Sequence, residues 1–98
     1  MHVLVFAVDL HLPACRSLKE KRAVLRPIVD GVRNRFGVSV AETQHQDQWQ
    51  RAEVGVAVVS GSAKVAAELV DDVERFVWSF PEVEVLATRR FWAEDEEA

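Results

Sequence analysis

The chain opens on a stretch whose hydrophobic side chains alternate between two sets. Leu4, Phe6, Val8, Leu10 and Leu12 fall on one face of an extended segment; Val3, Val5, Ala7, Asp9 and His11 fall on the other. The pattern predicts a strand over 3–12, ended by Pro13, which has no N–H to give to a ladder. From Ser17 the period becomes helical. Ser17-Leu18-Lys19-Glu20 has the form of a capping box, with Ser17 accepting from the Glu20 amide and Glu20 reaching back to the Ser17 amide. Leu18, Leu25, Ile28, Val29, Val32 and Phe36 then form one stripe, and Gly37 stands where a left-handed residue ends a helix. Pro27 conflicts with this pattern, because it deletes a backbone hydrogen bond; a kink or break is expected there.

Val38 and Val40 begin a second strand, and Ala52 to Val59 make a third. Ser60-Gly61-Ser62 is a turn and cap signal before a second helix, in which Ala66, Leu69, Val70, Val73, Phe76, Val77 and Phe80 recur at helical spacing. Pro81 stops that helix, a last strand is expected over 82–92, and residues 94–98 read as an acidic, disordered tail. The order β-α-β-β-α-β predicts an α+β, ferredoxin-like domain over residues 1–93. Its sheet is four-stranded and antiparallel, with both helices on one face.

Composition changes this picture in two places. The net charge of −4 argues against a protein that coats nucleic acid non-specifically, yet the charge is unevenly spread. Residues 16–35 carry seven Lys/Arg against Glu20 and Asp30, whereas from Gly61 onward ten acidic residues face four basic ones. Such a division marks a candidate partner surface. Cys15 is the only cysteine, so no intrachain disulfide can form. The apolar start has no basic leader and meets Asp9 too early to span a bilayer, so a cytoplasmic location and no membrane contact are expected.

The segments SLKEKRAVL, VSVAE and HQD.WQRA..GVAVVS, in that order and spacing, resemble the YlxP-like bacterial family, domain-of-unknown-function family 503. The similarity runs from the first strand to the second helix. It departs at Gln48, where a leucine is common, and at Pro27. The resemblance implies a small ferredoxin-like protein without an established activity. Genes of this family often lie beside those for translation initiation and ribosome maturation, which implies a role near the ribosome or its RNA.

Three groups of residues are candidate sites. Arg16, Lys19, Arg22, Arg26 and Arg33 fall within about one third of the first helix's circumference, where they could track a phosphate backbone. The competing reading is a solvated helix face with Asp30 pairing Arg26 and Arg33. The second group is the polar connection between strands two and three, where Gln44, Gln46, Gln48 and Gln50 alternate with His45, Asp47, Trp49 and Arg51. No Asn-Gly pair is present, so a longer, projecting loop is expected. On an extended chain His45, Asp47, Trp49 and Arg51 share one face. Trp49 would then anchor it, with Arg51 on Asp47 or on the indole, while the glutamines point outward. This segment reads either as a hairpin ordered by its own side chains or as a partner-contacting arm built on His45, Gln46, Asp47, Trp49 and Arg51. His45 with Asp47 is a weak metal or acid–base candidate: paired ligand blocks and an activated nucleophile are both missing from the sequence. The third group is the sheet face away from the helices. Val3, Val5, Ala7, Ser39, Ala41, Gly55, Ala57, Val59 and Leu86 should line it, with Arg90 and Trp92 at its rim, which reads either as a surface for a homodimer or as a partly exposed monomer surface. Its central strands offer no aromatics on which bases could stack. Cys15 lies beside Arg16 and Lys19, cations that could lower its pKa.

The expected function is a non-enzymatic accessory protein that binds a ribosomal subunit or structured RNA through the basic first helix and the strand 2–3 arm. No cofactor and no metal are expected. The alternatives are a homodimeric protein-interaction module without RNA contact and an acylphosphatase-like hydrolase. The hydrolase reading is disfavoured because HLPACRSLKEKR has no glycine to wrap a phosphate.

Overall fold

The computed structural model describes residues 1–93. Its elements are β1 (His2–His11), α1 (Leu18–Phe36), β2 (Ser39–Gln44), β3 (Arg51–Ser60), α2 (Ala63–Trp78) and β4 (Glu84–Trp92). The strands form one antiparallel sheet in the order β2-β3-β1-β4, the ferredoxin-like arrangement expected from the chain pattern. The expected tail at 94–98 lies outside the described residues.

Alternation in the central strands decides which face is covered. Leu4, Phe6, Val8 and Leu10 of β1 and Ala52, Val54, Val56 and Val58 of β3 are buried beneath the helices. Leu25, Ile28 and Val32 of α1 and Ala66, Val70, Val73 and Val77 of α2 close the core from above.

The helix ends follow the sequence with one change. Ser17 Oγ accepts from the Glu20 amide at 3.1 Å, but the Glu20 carboxylate reaches one residue further back, to the Arg16 amide at 3.2 Å. Gly37 ends α1 with φ of 64°, and its N–H bonds the Arg33 carbonyl. Ser62 caps α2 by accepting from Val65 N. Pro27 does not break α1, which continues through it. Both Pro27 and Ala23 are exposed, so the Ala23 carbonyl that loses its N–H partner can turn to water.

Gly31 marks where the helices approach most tightly. A Cβ built there would lie 2.5 Å from the tip of the Phe76 ring. That ring is wedged edge-on between Phe36 and Phe80 and has the Arg35 guanidinium over it, so it has little room to move. Gly31→Ala is therefore expected to lower unfolding free energy by about 1–2 kcal/mol in a urea titration, although alanine is the better helix former.

A bulge sets the phase of β4. Asp9 pairs with Ala87 but Leu10 with Val85, which leaves Leu86 as the extra residue. Beyond the bulge every side chain is turned over relative to uninterrupted alternation. Arg90 and Trp92, expected at the rim of the open face, instead pair with Phe6 and Leu4 on the helix side. Arg90 there bonds Asp71 and Glu74 of α2 at 2.8 and 3.1 Å. Burial works against its charge, but the two carboxylates outweigh it and hold the guanidinium above its ordinary range. Arg89 and Phe91 take the open face.

Candidate functional site

A groove of about 320 Å³ runs between α1 and β2, which is an edge strand of the sheet. Leu18, Leu25, Val29 and Val40 supply its apolar floor. Arg22, Arg26 and Arg33 line it from the helix, and Gln46 closes one end. Helical spacing explains the cations: positions 22, 26, 29 and 33 follow one another one turn at a time along one side of α1.

Charge bookkeeping in the groove is simple. Asp30 pairs with Arg33 at 3.1 Å and Glu42 with Lys21 at 2.7 Å, so each lining carboxylate already has a cation. Asp30 does not also hold Arg26, contrary to the expected pairing. Among the described residues neither Arg22 nor Arg26 has an ion-pair partner. Two exposed guanidiniums are left over. Arg16 and Lys19 are exposed nearer the start of the helix and do not line the groove.

The exposed edge of β2 is partly closed by side chains. Arg33 Nη2 donates to the Val40 carbonyl at 3.2 Å, and Gln46 Nε2 donates to that of Glu42 at 3.4 Å. In an antiparallel strand the N–H and C=O of one residue point to the same side. The outward acceptors of Val40 and Glu42 are thus occupied, while their N–H groups face the same way.

Lys21 organises the neighbouring loop. It sits in the 18-21-25-28-32 series of inward positions and is only 2% exposed. Its ammonium donates to the His45 carbonyl at 2.7 Å as well as meeting Glu42. Sequence reading counted Lys21 only among the seven basic residues of 16–35. The signal that identifies it is its place, three residues after Leu18 and four before Leu25, in the hydrophobic period itself.

The segment 45–50 is a connection without strand pairing, as expected, but it is not extended. His45 takes a left-handed φ of 65°, and Gln48 N–H bonds its carbonyl at 3.0 Å, closing a turn. That turn breaks the shared face proposed for His45, Asp47, Trp49 and Arg51. Trp49 is 52% exposed and anchors nothing, and Asp47 is exposed beside it. Three glutamines expected to point outward have internal roles. Gln50 donates to the carbonyls of Pro13 and Cys15, Gln46 to Glu42, and Gln48 lies 3.4 Å from His45 Nδ1.

Arg51 turns to the other side of the sheet, where it donates to Asp9 at 2.7 Å. His45 Nε2 lies 4.0 Å from the other Asp9 oxygen. Glu53 adjoins them, accepting from Thr43 at 2.6 Å and facing Arg89 at 3.5 Å, while His11 bonds Glu84 at 3.1 Å. The open face is thus divided. One end is a network of charges, and the other carries Val3, Val5, Ala57, Val59 and Phe91. The residues named as one site from sequence therefore fall into separate places: Arg22, Arg26, Arg33 and Gln46 at the groove, Arg16 and Lys19 along the helix start, Asp47 and Trp49 at the loop tip, and His45 and Arg51 at Asp9.

The structure supplies no pairing of His45 with Asp47, because His45 faces Asp9 instead. Among the described residues no three His, Cys, Asp or Glu side chains cluster as metal ligands do. No helix among them is long and apolar enough to cross a membrane. Two amides at the start of α1 are already engaged, Glu20 N by the Ser17 hydroxyl and Arg16 N by the Glu20 carboxylate. Cys15 also departs from expectation. Burial, reinforced by the Glu20 carboxylate, raises its pKa, and Lys21 offsets this only in part. The folded state thus favours the neutral thiol. Its contribution to stability should be complete below the ordinary value of 9.0 and be lost as pH rises through the raised folded value. Urea titrations between about pH 8 and 10.5 should show this decline, and Cys15→Ala should flatten it.

Comparison with known proteins places these features in a family. Residues 3–90 match the model described as "Protein of unknown function (DUF503)". The uncharacterized protein YlxP of Bacillus subtilis (strain 168) is 47% identical over 76 residues, which span 78% of this chain and 83% of that one. Two solved structures of designed proteins share the fold. Foldit4 aligns with a TM-score of 0.58 at 15% identity, over 93% of this chain and 97% of its own. LFR1 1, described as having a ferredoxin fold, aligns at 0.51 and 11%, over 98% and 88%. At such low identity these two speak to backbone architecture alone. The match along nearly the whole fold, from Val3 to Arg90, together with the YlxP relative, makes this chain a member of the DUF503 family.

Proposed function

We propose that the chain is a non-enzymatic, cytoplasmic accessory module that binds RNA, as a free structured molecule or within a ribosomal subunit, along the α1 side of the groove. One observation carries this reading: Arg22 and Arg26 are exposed cations in a groove whose carboxylates are already neutralised. Each such guanidinium can displace a condensed counterion on meeting a phosphate, a gain that overall negative charge does not cancel locally. Arg16 and Lys19 extend the positive surface toward the start of the helix. Co-sedimentation of the purified chain with small ribosomal subunits across a salt series tests the proposal. Association at low salt that fades steeply as salt rises is the expected result; no association at the lowest salt refutes it.

A second reading rests on the apolar end of the open face, where Val59 is 66% exposed and Phe91 48%. Two copies packed there would bury both patches while leaving the groove free. Sedimentation equilibrium separates this reading from a monomer by the dependence of apparent mass on concentration.

A further inference from the structure

The proposed RNA reading leaves open which kind of RNA enters the groove. We infer that its ligand is an unpaired stretch of nucleotides, with a base set on the floor made by Leu25, Val29 and Val40 and the flanking phosphates on Arg22 and Arg26. This inference rests on the RNA reading but goes beyond it.

Shape and chemistry both lead here. In an RNA duplex the bases are stacked inside, and the outer surface offers phosphates and ribose hydroxyls. Such a surface would meet the two arginines but leave the apolar floor empty. An unpaired nucleotide carries an apolar ring face and a charged backbone within one unit, matching an apolar floor beside two free guanidiniums. The groove, at about 320 Å³, has the size of a site for a small organic group.

The edge of β2 argues against the other occupant that such a groove could take, an extended acidic peptide. A peptide adding as a strand needs carbonyl acceptors as well as N–H donors along the edge. Here the Val40 and Glu42 carbonyls are held by Arg33 and Gln46. What remains toward the groove is a set of donors, the Val40 and Glu42 N–H groups and the arginines, together with the uncommitted Gln46 amide oxygen. Donors in excess suit a ligand rich in acceptors, as bases and phosphates are.

The test compares a labelled 12-nucleotide oligouridylate, a blunt RNA duplex of the same length and an acidic dodecapeptide by fluorescence anisotropy at one low salt concentration. The single strand should bind at least roughly tenfold more tightly than the duplex. Val29→Thr, which makes the floor more polar without changing its size or its charge, should remove most of that preference. Gln46→Ala, expected to narrow the preference as well, serves as a second variant if thermal unfolding reveals that Val29→Thr is destabilised. Equal binding of both RNAs, insensitive to either variant, overturns the inference but leaves the RNA reading intact. Tighter binding of the peptide overturns both, as does the failure of both RNAs to bind.

Discussion

Lys21→Met should lower the stability of the fold by about 3 kcal/mol, a large effect for the removal of one charge. Its ammonium is the buried donor that meets both Glu42 and the His45 carbonyl. Methionine fits the same space and keeps the aliphatic packing, so the loss isolates the polar contribution. Glu42 retains some contact with water, which holds the penalty at the low end of what an orphaned buried charge costs. The double variant Lys21→Met, Glu42→Leu should recover much of the loss, because the unpaired carboxylate goes with it. Chemical unfolding of the two singles and the double forms a mutant cycle, and additive effects would show that the pair is not coupled. Loss of Lys21 should also loosen residues 45–50. Faster hydrogen exchange at Gln48, whose N–H bonds the same carbonyl, reports that local change directly.

Reversing Arg22 and Arg26 together to glutamate should abolish RNA association at salt concentrations where the parent chain binds. Both side chains are exposed and have no ion-pair partner among the described residues, so unfolding free energy should change by no more than about 0.5 kcal/mol. The milder pair of alanine substitutions is the more informative one. Removing two phosphate contacts should reduce the slope of log affinity against log salt by about 1.4, taking about 0.7 per contact on single-stranded RNA. An unchanged slope would mean that neither side chain meets a phosphate. Alanine at Arg33 should act differently: its guanidinium is engaged with Asp30 and the Val40 carbonyl, so part of its effect should appear as lost stability.

The order of elements was legible because burial imposes period two on the central strands and a helical stripe on α1 and α2. Capping residues Ser17, Gly37 and Ser62 fixed the helix ends for the same local reason. The misreadings share a physical origin: each depended on a partner distant in the chain. Lys21 is hidden among seven basic residues until Glu42 and the His45 carbonyl come within reach. Arg51 looks toward its neighbours Asp47 and Trp49 in one dimension, yet β1 places Asp9 across the ladder. Leu86 carries no sign that it is the extra residue, and so Arg90 and Trp92 were read onto the wrong side of the sheet. The candidate site was half legible. Helical geometry placed Arg22, Arg26 and Arg33 together, but the β2 wall and Gln46 required the fold.

The occupied carbonyls on β2 have a meaning for assembly as well as for ligand choice. A sheet grows like a polymer wherever an edge offers both donors and acceptors. On the β2 side two outward acceptors, the carbonyls of Val40 and Glu42, are already taken, so propagation there is opposed. The β4 side lacks an equivalent side-chain cap among the described contacts, and its arginines and bulge discourage pairing without forbidding it. If two copies ever join through β4, the resulting eight-stranded sheet presents a β2 edge at each end. Growth beyond two would then be opposed by the same two side chains, Arg33 and Gln46, that shape the groove.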